Sequence, residues 1–389
     1  MNILYIDYQM YGKDDIVDAF QSLGYKVDVT DLPLKVDNEK SLAASLEKLI
    51  AEGIYTAAFT SNYYPLISEV CQKTNIKYIS WTYDSPLISL YHPSIQNPCN
   101  YTFIFDSREC ENLKSKGVTN VFYMPLAVND ERLSKIVVRE HDKELFSADV
   151  SLVASLYNET HNLYDRMEPR LSKYTNGYLN GVIQAQKNLF GVPILENALE
   201  NERVYNDMYC AMPYKLAEGS LATERYVYAN YFLARKVATF QRMEFIREIS
   251  QYFDMKVYTG GDLSSIKTVK HIGTVDYLTD MNKVFRLSKI NLNITLPSIH
   301  AGVPLRAMDI MGNGGFLLTN YQSDLLKHFE PNKEFVYYTS LDEALYYIDY
   351  YLNHEDERIQ IAQNAKRKME TTFTYKKAVK KIMELINMV

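Results

Sequence analysis

The sequence predicts an α/β protein of two domains, each wound around a parallel sheet. Three observations lead there. β-branched or alternating runs recur along the chain with amphipathic stretches between them, the pattern of strand–helix–strand crossovers. The length of 389 residues suits two domains of ordinary size. One stretch, residues 290–319, reads as a complete β-α-β unit. Its first strand, Ile290-Asn-Leu-Asn-Ile-Thr-Leu296, alternates apolar and polar residues. Pro297 ends it, since proline supplies no ladder donor. Gly302-Val303-Pro304 opens a helix, with Pro304 suited to the first helical position. Leu305, Met308, Ile310 and Met311 form its buried face, Asn313-Gly314-Gly315 stops it, and Phe316-Leu-Leu-Thr319 returns as a short buried strand. A helix N-terminus so placed faces the C-terminal edge of a sheet, where open α/β proteins bind anions and nucleotides.

Taken in order, the first half alternates strand and helix. Residues 3–7 are a strand, and Ile16, Val17, Phe20 and Leu23 share a helical face closed by Gly24. A half-buried strand over 25–30 precedes a helix marked by Leu42, Leu46, Leu49 and Ile50. Strands over 55–60, 76–81, 101–105 and 120–124, with helices over 65–73 and 107–116, complete a domain of residues 1–128. Functional groups of such a sheet gather on loops past the strand ends. The first of these loops, Tyr8-Gln-Met-Tyr-Gly12, lacks G-x-G-x-x-G, which argues against a dinucleotide-dependent dehydrogenase. Trp81-Thr-Tyr-Asp-Ser-Pro86 places a carboxylate, hydroxyls and an aromatic ring on one turn. Asp84 there reads either as turn chemistry before proline or as a substrate contact.

Residues 129–148 are rich in Lys, Arg, Glu and Asp and read as a solvated linker with a short helix. A buried strand over 149–155 opens the second domain, residues 149–372. From about 160 to 250 the pattern is helical, broken at Pro169, Pro193 and Pro213, with 222–249 either one long helix or two. Nothing in this insertion assigns it a task. Strands over 255–259 and 271–277, a helix over 277–287 and the β-α-β unit follow, then helices over 342–353 and 355–370. A basic helix within 373–389 carries Ala378, Ile382, Leu385 and Ile386 as a stripe expected to pack back on the first domain.

The bulk properties exclude several classes. A formal net charge of −6 and a pI near 5.7 argue against a nucleic-acid partner. A chain 47% hydrophobic and 23% charged is not disordered. No apolar run is long enough to span a membrane. Lys376, Lys377, Lys380 and Lys381 read as a solvated face rather than a membrane-surface contact. The immediate opening strand leaves no room for a signal peptide. Cys71, Cys99, Cys110 and Cys210 lack C-x-x-C spacing and read as free thiols in a reducing cytoplasm. His92, His141, His161, His271, His328 and His354 show no ligand spacing and no D-x-D ends a strand, so no essential metal is expected.

The second half resembles the C-terminal domain of GT-B glycosyltransferases, and within them the CgeB-like (spore maturation protein-like) group with a glycosyl transferases group 1 type domain. The resemblance rests on Val153-Ala-Ser-Leu-Tyr157, Gly273-Thr-Val-Asp276, Pro304-Leu-Arg306, Asp309 and Gly314-Gly-Phe-Leu-Leu-Thr319. It continues through His328-Phe-Glu-Pro331 and Glu334-Phe-Val-Tyr337, and covers most of 148–375 outside the insertion. It implies two Rossmann-like domains facing across a cleft, with the acceptor on the first domain and a nucleotide-diphosphate sugar on the second.

The resemblance also implies roles. Asp309 would accept from the ribose hydroxyls, a carboxylate being a good partner for a vicinal diol. Gly302 and Val303 would offer main-chain N–H groups to the diphosphate. Arg306 would pair either with phosphate or with Asp309 at i,i+3. Gly273 and Val275 would edge the base, a pyrimidine. Ser155 and Tyr157 would approach the phosphates or the sugar. Many retaining relatives carry a second acid eight positions before the ribose acid, where this chain has Ala301 beside His300. The stereochemistry is therefore open, and His300 is a candidate replacement or a structural residue. If the reaction inverts, Asp84 is the candidate general base, with His92 behind it. The expected activity is sugar transfer from a nucleotide-diphosphate donor, UDP-sugar favoured, to an unidentified acceptor hydroxyl, with no cofactor. A sugar-nucleotide 2-epimerase and a non-catalytic partner of another transferase are the alternatives.

Overall fold

The alternation in the sequence folds as two six-stranded parallel sheets among the described residues of a computed structural model, which are 1–31, 39–160 and 162–388. His161, grouped above with the non-ligating histidines, lies outside them. The chain divides into two compact units, the first of Met1–Asn129, Leu216–Ala222 and Thr372–Val389, the second of Asp130–Lys215 and Thr223–Thr371.

In the first unit the strands are β1 (Asn2–Asp7), β2 (Lys26–Asp31), β3 (Ala57–Ser61), β4 (Lys77–Trp81), β5 (Asn100–Ile104) and β6 (Val121–Tyr123), in the order β2-β1-β3-β4-β5-β6. β3, β4 and β5 are buried almost throughout, as strands covered by crossover helices on both faces must be. The order reverses between β1 and β3, so their C-terminal ends border a crevice of the kind that admits ligands. The helix Tyr375–Met388 belongs to this unit. Ile382 and Ile386 are buried as the stripe predicts, but Val379 and Met383 share the core with them, while Ala378 and Leu385 are half-buried. Lys77 Nζ donates to the Ile386 carbonyl at 2.9 Å, and the Tyr375 and Trp81 rings meet edge-on at 5.9 Å.

The second unit holds β7 (Ala148–Val153), β8 (Met255–Tyr258), β9 (Lys270–Gly273), β10 (Ser288–Asn293), β11 (Leu317–Asn320) and β12 (Val336–Tyr338), ordered β12-β11-β10-β7-β8-β9. Residues 130–147, expected as a solvated linker, instead form two helices, Asp130–Ser134 and Glu140–Phe146, inside this unit. Their charges serve fixed pairs: Lys283 bridges Asp142 at 2.9 Å, and Arg286 donates to the Leu133 and Ile136 carbonyls. The run 224–249 is continuous. It passes from α-helix through a wider π-helical stretch, Tyr228–Leu233, and back to α-helix over Ala234–Ile249. Residues 216–222 leave the insertion for the first unit, where Leu221 N donates to the Tyr91 carbonyl at 2.8 Å.

The β-α-β unit forms around the helix Leu305–Gly312, with β10 and β11 paired Asn291↔Leu317. Pro304 sits one position earlier than expected, as the N-cap in extended conformation. Gly315 is required at the entry to β11: a Cβ there would stand 2.6 Å from the Phe285 carbonyl oxygen and 2.7 Å from Asn291 Nδ2.

Candidate functional site

The C-terminal edge of the second sheet gathers most of the predicted residues. β10 ends at Asn293, and residues 294–304 lead from it into the helix Leu305–Gly312. Gly302 and Val303 are buried just before that helix. Asp309, one turn further in, is only 7% exposed, far below what a helix-surface carboxylate shows. Arg306 and Tyr277 face its carboxylate. Arg306 Nη1 stands 3.6 Å from Oδ2, and Tyr277 Oη donates to Oδ1 at 3.3 Å. The ion-pair alternative for Arg306 is thus formed in the structure. Its guanidinium also lies over the Phe285 ring at 5.7 Å and against the Met281 sulfur, so its planar fork is held on one side by apolar contacts.

Tyr277 joins Asp309 to the loop after β9. That loop starts at Gly273, which has φ +90°, and runs through the half-buried Val275. The base-edge residues predicted from sequence therefore share a contact chain with the ribose candidate.

Ser155 and Tyr157 follow β7. The Ser155 side chain is exposed, but its carbonyl is bound by Arg242. Arg242 also donates to the Ile294 carbonyl at 2.7 Å and stacks over the Tyr157 ring at 5.1 Å. Tyr157 itself adopts a left-handed φ of +54°, and Thr239 donates to its carbonyl at 3.1 Å. Arg242 is 6% exposed, and burial lowers the pKa of its guanidinium. One buried arginine from the insertion thus clamps the loops after β7 and β10 side by side. No sequence motif marked it; folded, it shares the buried side of that helix with Val237, Phe245, Ile246 and Ile249.

His300 is half-buried beside the fully covered Ala301. It borders a pocket whose other walls come from the ends of β10 and β11 and from the insertion. Among the described residues, no three His, Cys, Asp or Glu side chains gather as metal ligands, and no helix is long and apolar enough to cross a membrane.

Asp84 lies in the first unit, on the loop after β4. Its exposed carboxylate accepts from Asn62 Nδ2 at 2.7 Å, while Asn62 Oδ1 accepts from the Tyr83 and Asp84 main-chain N–H groups at 2.8 and 3.1 Å. Asn62 is buried with a left-handed φ of +67°, a conformation asparagine tolerates better than most residues. It was legible only as part of a strand-end loop. Tyr8 and Tyr64 stack at 3.9 Å on the same edge, and burial pushes the Tyr8 phenol up to about 12. His92 serves structure: its Nδ1 accepts from Ser94 N at 3.2 Å and caps the turn Pro93–Gln96.

Residues 241–384 match the model of a family described as "Glycosyl transferase-like". No curated protein matches the sequence. Among solved structures, the chain is similar to sucrose-phosphate synthase from Thermosynechococcus elongatus, at 10% identity and a TM-score of 0.58, over 100% of this chain and 98% of that one. It is similar to Anabaena HepE, solved in complex with UDP-glucose, at 10% identity and a TM-score of 0.57 over 100% of both chains. It is similar to T4 phage BGT in complex with its UDP-glucose substrate, at 9% identity and a TM-score of 0.52, over 98% of this chain and 99% of that one. Two parallel six-stranded sheets flanked by helices, aligned along the whole chain with such structures, identify the fold as GT-B.

Proposed function

We propose that this protein is a glycosyltransferase that moves a sugar from a UDP-sugar to an acceptor hydroxyl, and that it falls in the CgeB-like group. The observation that carries the reading is Asp309, a nearly buried carboxylate one turn into a helix at the C-terminal edge of the second sheet, met by Tyr277 and Arg306. A ribose diol supplies two donors to such a group. The GT-B fold, the family match over 241–384 and the UDP-glucose complexes of HepE and T4 phage BGT support the same reading. Nothing in the comparisons favours the epimerase alternative.

On this reading the main chain at Gly302 and Val303 and the Arg306 guanidinium receive the charge of the departing diphosphate, in place of a bound metal. Gly273 and Val275 edge the uracil, and Ser155 and Tyr157 border the diphosphate side. Asp84, oriented by Asn62, is the general base if the reaction inverts. Calorimetry with UDP, GDP and CMP tests the donor. Saturable UDP binding unaffected by EDTA is expected, and binding of none of the three nucleotides would sink the proposal. Turnover equal to wild type in Asp84→Asn would remove Asp84 from it.

A further inference from the structure

We infer that the second unit carries a further ligand site, for a small phosphate ester, in a groove at the edge of its sheet opposite the candidate donor site. The groove lies where the chain enters β10 and β11, at residues 285–289 and 314–316. The helix Glu355–Thr372 forms its other wall with Arg358, Ile359, Ala362 and Gln363. The loops after β7, β9 and β10, which build the candidate donor site, lie at the other ends of the strands. The groove offers about 280 Å³ of water-accessible room, just below the range of drug-sized ligand sites and suited to a smaller molecule.

Its wall is cationic. Arg286, Lys289 and Arg358 line it, and among the described residues no Asp or Glu does. Lys289 and Arg358 meet acids that stand outside the groove, Asp149 at 2.8 Å and Glu355 at 3.2 Å. Arg286 is half-buried and bonds only neutral oxygens, those of the Asn313 amide and the Leu133 and Ile136 carbonyls. These take three of the five N–H donors of its guanidinium, leaving one on each terminal nitrogen.

Charge kept out of water without a counter-charge is costly. Burial lowers the guanidinium pKa of both Arg286 and Arg358, and an anion seated between them offsets that cost. The planar fork of arginine matches phosphate oxygens two at a time. Beside the charges, half-buried Leu287 and Ile359, 43% exposed, add apolar surface, and Gln363 adds an exposed amide. That mixture suits a phosphate carried on a short hydroxylated carbon body better than a bare ion.

The test is calorimetry with inorganic phosphate and glycerol 3-phosphate at physiological salt, where loose surface pairing is screened. It compares the wild-type chain with Lys289→Glu and Ile359→Trp, neither of which removes a donor from the carbonyls that Arg286 and Arg358 hold. The wild type should bind glycerol 3-phosphate saturably and more tightly than phosphate. Lys289→Glu reverses one charge of the wall and should weaken both ligands roughly 10–100-fold, the worth of one hydrogen bond to a charged group. Ile359→Trp fills the groove and should exclude the ester. If Ile359→Trp melts early, Lys289→Glu decides alone. An ester bound no tighter than phosphate, no saturable binding in the wild type, or binding that Lys289→Glu leaves intact overturns the inference. The donor-site reading stands apart from it, since UDP binding tests that reading separately and should be equal in all three chains.

Discussion

Asp309 shows how little of a side chain's role lies in its identity. Written in sequence it is one acid between Met308 and Ile310; folded, it is 7% exposed, paired with Arg306 and approached by Tyr277. Replacing it with Asn keeps the shape and removes the charge. Hydrogen bonds to charged groups contribute about 1.5–3 kcal/mol, so Asp309→Asn should weaken UDP binding roughly 10–100-fold by calorimetry, with an unchanged circular-dichroism spectrum. The cysteines give a second residue-scale expectation. Cys71 and Cys110 are buried and Cys210 is exposed. Burial pushes the Cys99 and Cys110 thiols up to about 11 and raises Cys71 further. A raised thiol pKa leaves little thiolate at pH 8. One fast-reacting thiol per native chain is therefore expected with a disulfide reagent, Cys210, and all four in denaturant. Of the candidate site, the helix N-terminus at Gly302-Val303-Pro304 was legible from local spacing, while the roles expected of Arg306 and Asp309 came from the family resemblance alone. Arg242 and Asn62 were not legible, because their work depends on carbonyls and side chains far away in sequence.

At the scale of elements, the strands and most helices follow directly from periodicity, since one-face burial leaves its mark at every second or fourth residue. Residues 130–147 escaped because composition does not distinguish a charge in solvent from one held by Lys283 or used by Arg286. The run 224–249 left one helix or two open because its wider middle turns shift the buried face. Two substitutions test how its lower end and the β-α-β unit are braced. Arg242→Met removes the donors from the Ser155 and Ile294 carbonyls. Each orphaned buried acceptor costs about 1–3 kcal/mol, so the urea midpoint of the second unit should fall clearly. Gly315→Ala sets a methyl 2.6 Å from the Phe285 oxygen. Overpacking of this kind costs about 1–3 kcal/mol, and β10–β11 amides should lose hydrogen-exchange protection first.

For the whole molecule, the division into units cuts across chain order. The first unit draws on three separate stretches, and the helix Tyr375–Met388 supplies Val379, Ile382, Met383 and Ile386 to its core. Burying side chains of this size contributes about 1.5–3 kcal/mol each, a sum comparable to the whole stability of an ordinary domain. A chain truncated after Thr371 should therefore present residues 1–129 to trypsin as unfolded polypeptide, while the fragment 130–371 resists. Equal protease resistance of both parts would contradict this accounting. The same feature orders events during synthesis. The ribosome makes residues 130–371 before it reaches the helix that covers the first sheet. At about 5–20 residues per second that interval lasts roughly 12–50 s. The unit begun first is thus the unit finished last, and until then its core lacks Val379, Ile382, Met383 and Ile386.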